Sequence, residues 1–221
     1  MDTTAVPLSA AWTVAGWVLA LPLVLCAAWA APWRRLGDSE QAHVWLGGVF
    51  CLVALWSLRA TVGDGYTFHL LGITAFTLAV GPALAVAGSA LAVALLIAVR
   101  GGLWLNGAIA YLTMAALPVG ASWLVLRLAE RRLPPNFFVY VFVAAFFGAA
   151  LAYGAAGLAG ATVLTSAAGM PAGRVFGEYV PYLLYLAFGE ATLNGMLLTL
   201  AVVYRPRWVT TFDDGRYLAG R

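Results

Sequence analysis

Long apolar runs, separated by short segments rich in arginine, glycine or proline, recur along the whole chain, and none shows the strict alternation of a barrel strand. A helix needs ~20 residues to cross ~30 Å of hydrocarbon, and backbone groups in lipid must be satisfied within the segment, so the runs are read as helices. Spans are expected over residues 9–31, 43–58, 67–81, 83–99, 106–127, 136–166 and 179–204. The fold class is therefore all-α, a polytopic membrane protein of seven transmembrane helices. It forms one integral membrane domain over 1–221, with a short tail at 205–221. The third and fourth spans share one apolar stretch, 66–99, too long for a single crossing, and Gly81-Pro82 is where it should break. That leaves the third helix short, and half-helices beside such breaks expose polar backbone ends at depth, where membrane proteins build sites.

Composition agrees with this pattern and adds an orientation. Hydrophobic residues make up 63% of the chain and charged residues 10%, with a mean hydropathy of +0.91, which leaves no room for a soluble domain. All twelve basic residues are arginines. Arg34, Arg35, Arg127, Arg131, Arg132, Arg205, Arg207, Arg216 and Arg221 fall on one side of the predicted spans, and Arg59, Arg100 and Arg174 on the other. The positive-inside rule places the larger group in the cytoplasm, so the N-terminus is expected outside and the C-terminus inside. The net charge of +3 is thus a topology signal, and no basic stripe points to nucleic acid. Residues 1–10 lack the charged n-region of a cleaved signal and are read as mature sequence.

Several residues are assigned to packing. Cys26 and Cys51 lie inside spans, away from any CxxC pattern, and are read as small buried apolar residues. Trp33, Trp45, Trp104 and Trp208 sit near span ends, as interfacial aromatics do. Gly148, Gly154, Gly157 and Gly160 bring small residues about one turn apart and allow a neighbouring backbone to come close. Asn106 after Gly101-Gly102, and Asn136 after Pro134-Pro135, are read as helix N-caps.

Few polar residues remain at depth. His69 lies in the first turn of the short third helix, on the outer side, five residues after Asp64. A neutral imidazole there is either a ligand for a divalent metal or an interfacial hydrogen-bonding group, and spacing does not decide between them. His43 stands at the opposite end of its helix, so the two histidines cannot share one haem or metal. Glu190 lies near the middle of the last helix with Asn194 one turn on. A carboxylate at that depth must be paired, protonated or facing a wet cavity, so the pair either fixes helix packing or, with Asn106, lines a polar cavity. Asp2 is a solvated terminal residue or, with the Met1 amine, part of a chelating arm. The chain has no GxxxxGK[ST] phosphate loop, no HExxH and no serine with a histidine base at usable spacing, so an enzyme is not expected.

The stretch Phe68-His69-Leu70-Leu71-Gly72, then Val80-Gly81-Pro82, Gly101-Gly102-Leu103 with Gly107, and Gly189-Glu190 resembles the membrane substrate-binding subunits of energy-coupling-factor transporters for cobalt and nickel, the CbiM and NikM type. The order matches across nearly the whole chain, including Leu19 to Pro22. The segments at 133–138 and 204–214 look like a bacterial branch of that family. The resemblance implies a seven-helix, N-out subunit in the bacterial inner membrane, whose amino-terminal arm plugs into the bundle. The ligands it implies are the terminal amine, the second residue's backbone nitrogen and histidine side chain, and a histidine opening the third helix. Met1 matches the amine and His69 the last histidine, but position two is Asp2 where the family has histidine. Replacing nitrogen by oxygen should weaken cobalt or nickel binding and favour harder ions. Asp64 or Glu190 is a possible compensating group.

The expected mechanism is that Met1, Asp2 and His69 hold a divalent transition-metal ion at the outer face as substrate. A membrane coupling subunit and cytoplasmic ATPases, both implied by the resemblance, would then turn the bundle to release it inward. Two alternatives belong to other classes: a subunit binding a small organic molecule beneath Glu190, Tyr182 and Tyr185, and an assembly subunit whose Gly154 and Gly157 face a partner.

Overall fold

A central helix of only eight residues organises the bundle. The computed structural model describes residues 8–62 and 66–217. In chain order the elements are α1 (Ala10–Ala30), α2 (Ser39–Ser57), the strands β1 (Ala60–Val62) and β2 (Tyr66–Phe68), α3 (Ile73–Val80) and α4 (Pro82–Arg100). They continue with α5 (Trp104–Arg132), α6 (Val139–Ser166) and α7 (Ala172–Tyr204), and α8 (Asp214–Tyr217). Five of these, α1, α4, α5, α6 and α7, are long and apolar enough to cross a membrane. The fold is mostly helical, and a helix stands in each segment where a span is expected.

The all-α expectation needs one amendment. β1 and β2 pair antiparallel with Thr61 opposite Thr67, so residues 67 and 68, expected in the third helix, are extended. That helix begins at Ile73 rather than at 67. It does end at Gly81, whose φ of 85° suits glycine and is followed by Pro82 at the first turn of α4, as the Gly-Pro signal predicts. At ~1.5 Å per residue α3 is about 12 Å long. It packs against α2, α4, α5, α6 and α7, burying Ile73, Thr74, Phe76, Thr77, Leu78 and Val80.

Boundaries move elsewhere for local reasons. α2 starts four residues before the expected 43 because Asp38 caps it, accepting from the Glu40 N–H at 3.0 Å. Asn136 caps the next turn as expected, accepting from the Phe138 N–H at 2.7 Å. Asn106 does not: its side chain makes no cap bond, although it is buried. Cys26 and Cys51 are exposed on the outside of the bundle, not buried. Of the glycine run, Gly157 meets Leu183 of α7, whose Cδ2 would lie 2.5 Å from an added Cβ, whereas Gly154 faces open space.

At the end of the bundle opposite the hairpin, the segment after α7 straps across several helices. Gln41 donates to Arg207 O, and the Trp208 indole N–H donates to Glu40 at 2.8 Å. The Thr210 N–H donates to Ala79 O at 2.8 Å, the Thr211 hydroxyl to Leu78 O at 2.7 Å, and Arg216 pairs with Glu130 at 2.9 Å.

Candidate metal site

The loop between β2 and α3, residues 69–72, is fixed from three directions. Phe68 stacks on Tyr179 of α7 with centroids 5.1 Å apart. The buried Trp56 indole of α2 donates to Leu71 O at 2.9 Å. Glu190 of α7 accepts from both backbone donors at the start of α3: the Leu71 N–H at 2.7 Å and the Gly72 N–H at 2.6 Å, one on each carboxylate oxygen. Asn194, one turn on, accepts from the Ala75 N–H at 2.7 Å and donates to Glu190 Oε1 at 2.9 Å. The unsatisfied first N–H groups of a helix carry its positive end, so an anion there is stabilised, and the half-helix is capped in trans by a carboxylate and an amide. Gly72 adopts φ 65°, turning the chain from the loop into the helix.

His69 is 4% exposed. The Tyr153 hydroxyl donates to His69 O at 3.3 Å. The ring's Nδ1 lies 3.2 Å from Leu70 O, a contact that is a hydrogen bond only when Nδ1 carries the proton. That tautomer leaves the lone pair on Nε2, which is what a metal ligand needs. The residue lines a cavity of about 20 Å³ with Leu71, Thr113, Met114, Tyr153 and Tyr179, room for about one water-sized species.

The other expected site residues distribute unevenly. Met1, Asp2 and Asp64 lie outside the described residues. Among the described residues no three of histidine, cysteine, aspartate and glutamate come together as a metal cluster. Glu190 and Asn194, 1% and 0% exposed, are bonded into the α3 cap. Asn106 belongs to the turn that opens α5, a different element from that cap. Of the two aromatics named with Glu190, Tyr185 is 75% exposed on α7 and Tyr182, also exposed, sets its ring 5.8 Å from that of the buried Phe68. Tyr153, Thr113 and Trp56 were missed by the sequence reading. The spacing of Tyr153, Ala156, Gly157 and Gly160 marks a single helix face, and those four residues line the His69 cavity, but in sequence only the two glycines stand out, as packing residues.

Residues 5–208 match the sequence profile of CbiM, the cobalt uptake substrate-specific transmembrane region. The chain belongs to the CbiM family. It is accordingly a metal-uptake membrane subunit, of a family whose members typically work with other transporter subunits. A crystal structure of a truncated transition metal transporter superposes with a TM-score of 0.70 at 17% identity, covering 89% of this chain and 96% of that one; at that identity the likeness speaks for the fold. A search of curated proteins finds no match.

Proposed function

We propose that this chain is the substrate-binding membrane subunit of an energy-coupling-factor type transporter that imports a divalent transition-metal ion, cobalt- or nickel-like. The bundle crosses the bacterial inner membrane seven times, α2 and the short α3 included, with the hairpin end outside and the strap end inside. Supporting this orientation, eight of the described arginines lie at the strap end, and cytoplasmic loops carry the excess of such charge. The ion is held by the Met1 amine, Asp2 and His69, with Asp64, five residues before His69 in sequence, as a further ligand. Coupling and ATPase subunits supply the energy for release inward.

The observation that carries the reading is His69. A buried imidazole whose Nδ1 is satisfied by a carbonyl and whose ring lines a cavity of single-ion size is oriented for coordination through Nε2. Asp2 gives the site one oxygen where a second imidazole would give nitrogen, which lowers affinity for softer ions. The test is metal analysis of purified protein after incubation with cobalt, for the native chain, His69→Ala and Asp2→His, with melting curves to show that each is folded. His69→Ala should lose the ion and Asp2→His should retain more of it. Equal cobalt content in native protein and His69→Ala overturns the reading.

A further inference from the structure

α5 changes its winding beside the His69 cavity. Over Leu112–Ala116 it widens to a π turn, and the Leu117 N–H donates to Leu112 O, five residues back. Pro118 accounts for the widening: in an α-turn its ring would run into Met114 O, and it has no N–H to offer. The wide turn relieves the clash but not the missing donor. Leu117 is committed to Leu112 and position 118 is proline, so Thr113 O receives neither the i+4 nor the i+5 bond of a helix. Backbone left bare at membrane depth is tolerated where it is buried in protein or lines a cavity. The wide turn stands against one: Thr113 and the buried Met114 are the two residues of α5 in the lining of the His69 cavity.

Three of the four polar side chains of that lining have committed their protons to backbone carbonyls. The Thr113 hydroxyl donates to Ile109 O at 2.8 Å, and the Tyr153 hydroxyl to His69 O at 3.3 Å. The tautomer that bonds His69 Nδ1 to Leu70 O at 3.2 Å spends that ring's proton as well. What these groups retain is lone pairs, and the Met114 thioether has nothing else to give. Water satisfies the oxygens by donating to them but finds only a weak acceptor in sulfur. A late transition-metal ion takes imidazole nitrogen and thioether sulfur together.

We infer that the π turn of α5 completes the ion site: Met114 gives the ion a thioether sulfur beside the His69 nitrogen, and Thr113 gives it the hydroxyl oxygen. This rests on the ligand role proposed above for His69 and adds the residue that selects the ion. An amine, an imidazole and carboxylates accept hard and borderline divalent ions alike. A thioether is a poor ligand for magnesium, calcium or manganese and a good one for softer ions. Met114 is therefore the specificity-determining residue, and Thr113 pulls the other way.

The test uses the full chain loaded with cobalt alone, as native protein, Met114→Leu, Thr113→Val and His69→Ala, with melting curves for each. Leucine conserves the volume of methionine, and Met114→Gln replaces it should Met114→Leu not fold. X-ray absorption at the cobalt edge should show a sulfur neighbour in native protein and none in Met114→Leu. In competition with manganese, Met114→Leu should lose its preference for cobalt by about tenfold, the scale of a lost group around a metal. Thr113→Val should weaken manganese more than cobalt. A sulfur neighbour that survives Met114→Leu, no sulfur neighbour in native protein, or an unchanged competition ratio overturns the inference. The role of His69 then stands by itself wherever His69→Ala loses cobalt. Equal cobalt in native protein and His69→Ala overturns both.

Discussion

Glu190→Gln is the sharpest test of how the site is built. The carboxylate receives three donors: the Leu71 N–H, the Gly72 N–H and the Asn194 side-chain amide. An amide of the same shape keeps one acceptor and turns its own NH₂ toward a buried donor. Removing a buried charge is favourable in itself, because desolvating it costs several kcal/mol. Here every neighbouring group is a donor and the helix end adds its own positive potential, so the surroundings are built for an anion and the loss dominates. Losing the charge-assisted bonds costs about 1.5–3 kcal/mol and leaving an N–H unpaired about 1–3 kcal/mol. Measured couplings inside membranes are smaller, averaging about 0.6 kcal/mol. We therefore expect about 2–4 kcal/mol, which at ~2–4 °C per kcal/mol lowers the melting temperature by about 5–15 °C. Hydrogen exchange should speed up at Leu71, Gly72 and Ala75 in particular. A variant that melts within about 1 °C of the native chain, with exchange unchanged at those amides, would refute the capping argument.

Three further outcomes follow from the same geometry. Gly72→Ala forces an alanine to φ 65° and places its Cβ 2.9 Å from Leu55 Cδ2, so a loss of about 1–2 kcal/mol from the left-handed backbone alone should appear as a lower melting temperature. Gly157→Val drives a branched side chain into Leu183 and should cost about 1–3 kcal/mol; combining it with Leu183→Ala should recover part of the loss in the same melting assay, because the two share one contact. Thr211→Val removes the hydroxyl that donates to Leu78 O and meets the Tyr140 hydroxyl at 2.6 Å, a loss of about 1–2 kcal/mol to be read as faster exchange of the Thr210 amide.

The long spans were legible because their signal is long: α4, α5, α6 and α7 each carry far more apolar residues than any turn can hide. The break at Gly81-Pro82 was equally plain, since both residues state their backbone requirement locally. The start of α3 was not. The acceptors that hold Leu71, Gly72 and Ala75 come from residues 118 to 119 positions away, and no local pattern reports them. Nor could three residues of strand at Tyr66–Phe68 display an alternation, so they merged with the apolar run that follows. Cys51 was read as buried because it lies in an apolar segment, but in lipid an apolar segment is not an interior: α2 turns that face outward. His69 and Glu190 stand out in the sequence because polar groups at depth are costly and few. Their division of labour, one ring lining a cavity and one carboxylate holding the loop beneath it, needed coordinates.

That division follows from the length of α3. A third helix running unbroken from residue 67 would bond the Leu71 and Gly72 N–H groups to its own carbonyls and give Glu190 nothing to hold. Shortened to eight residues, it leaves donors bare at one end and carbonyls at the other, at a depth where water does not compensate. α7 supplies the anion and amide for the first end, and the strap that follows α7 supplies Thr210 and Thr211 for the second. Both ends of α3 are therefore satisfied by one continuous stretch of chain, the last helix and its tail. A displacement of that stretch cannot leave α3 in place without stranding buried polar groups. The loop that carries His69 begins where α3 is capped, so the hairpin end and the strap end are joined through a helix about 12 Å long that has no bonds to spare.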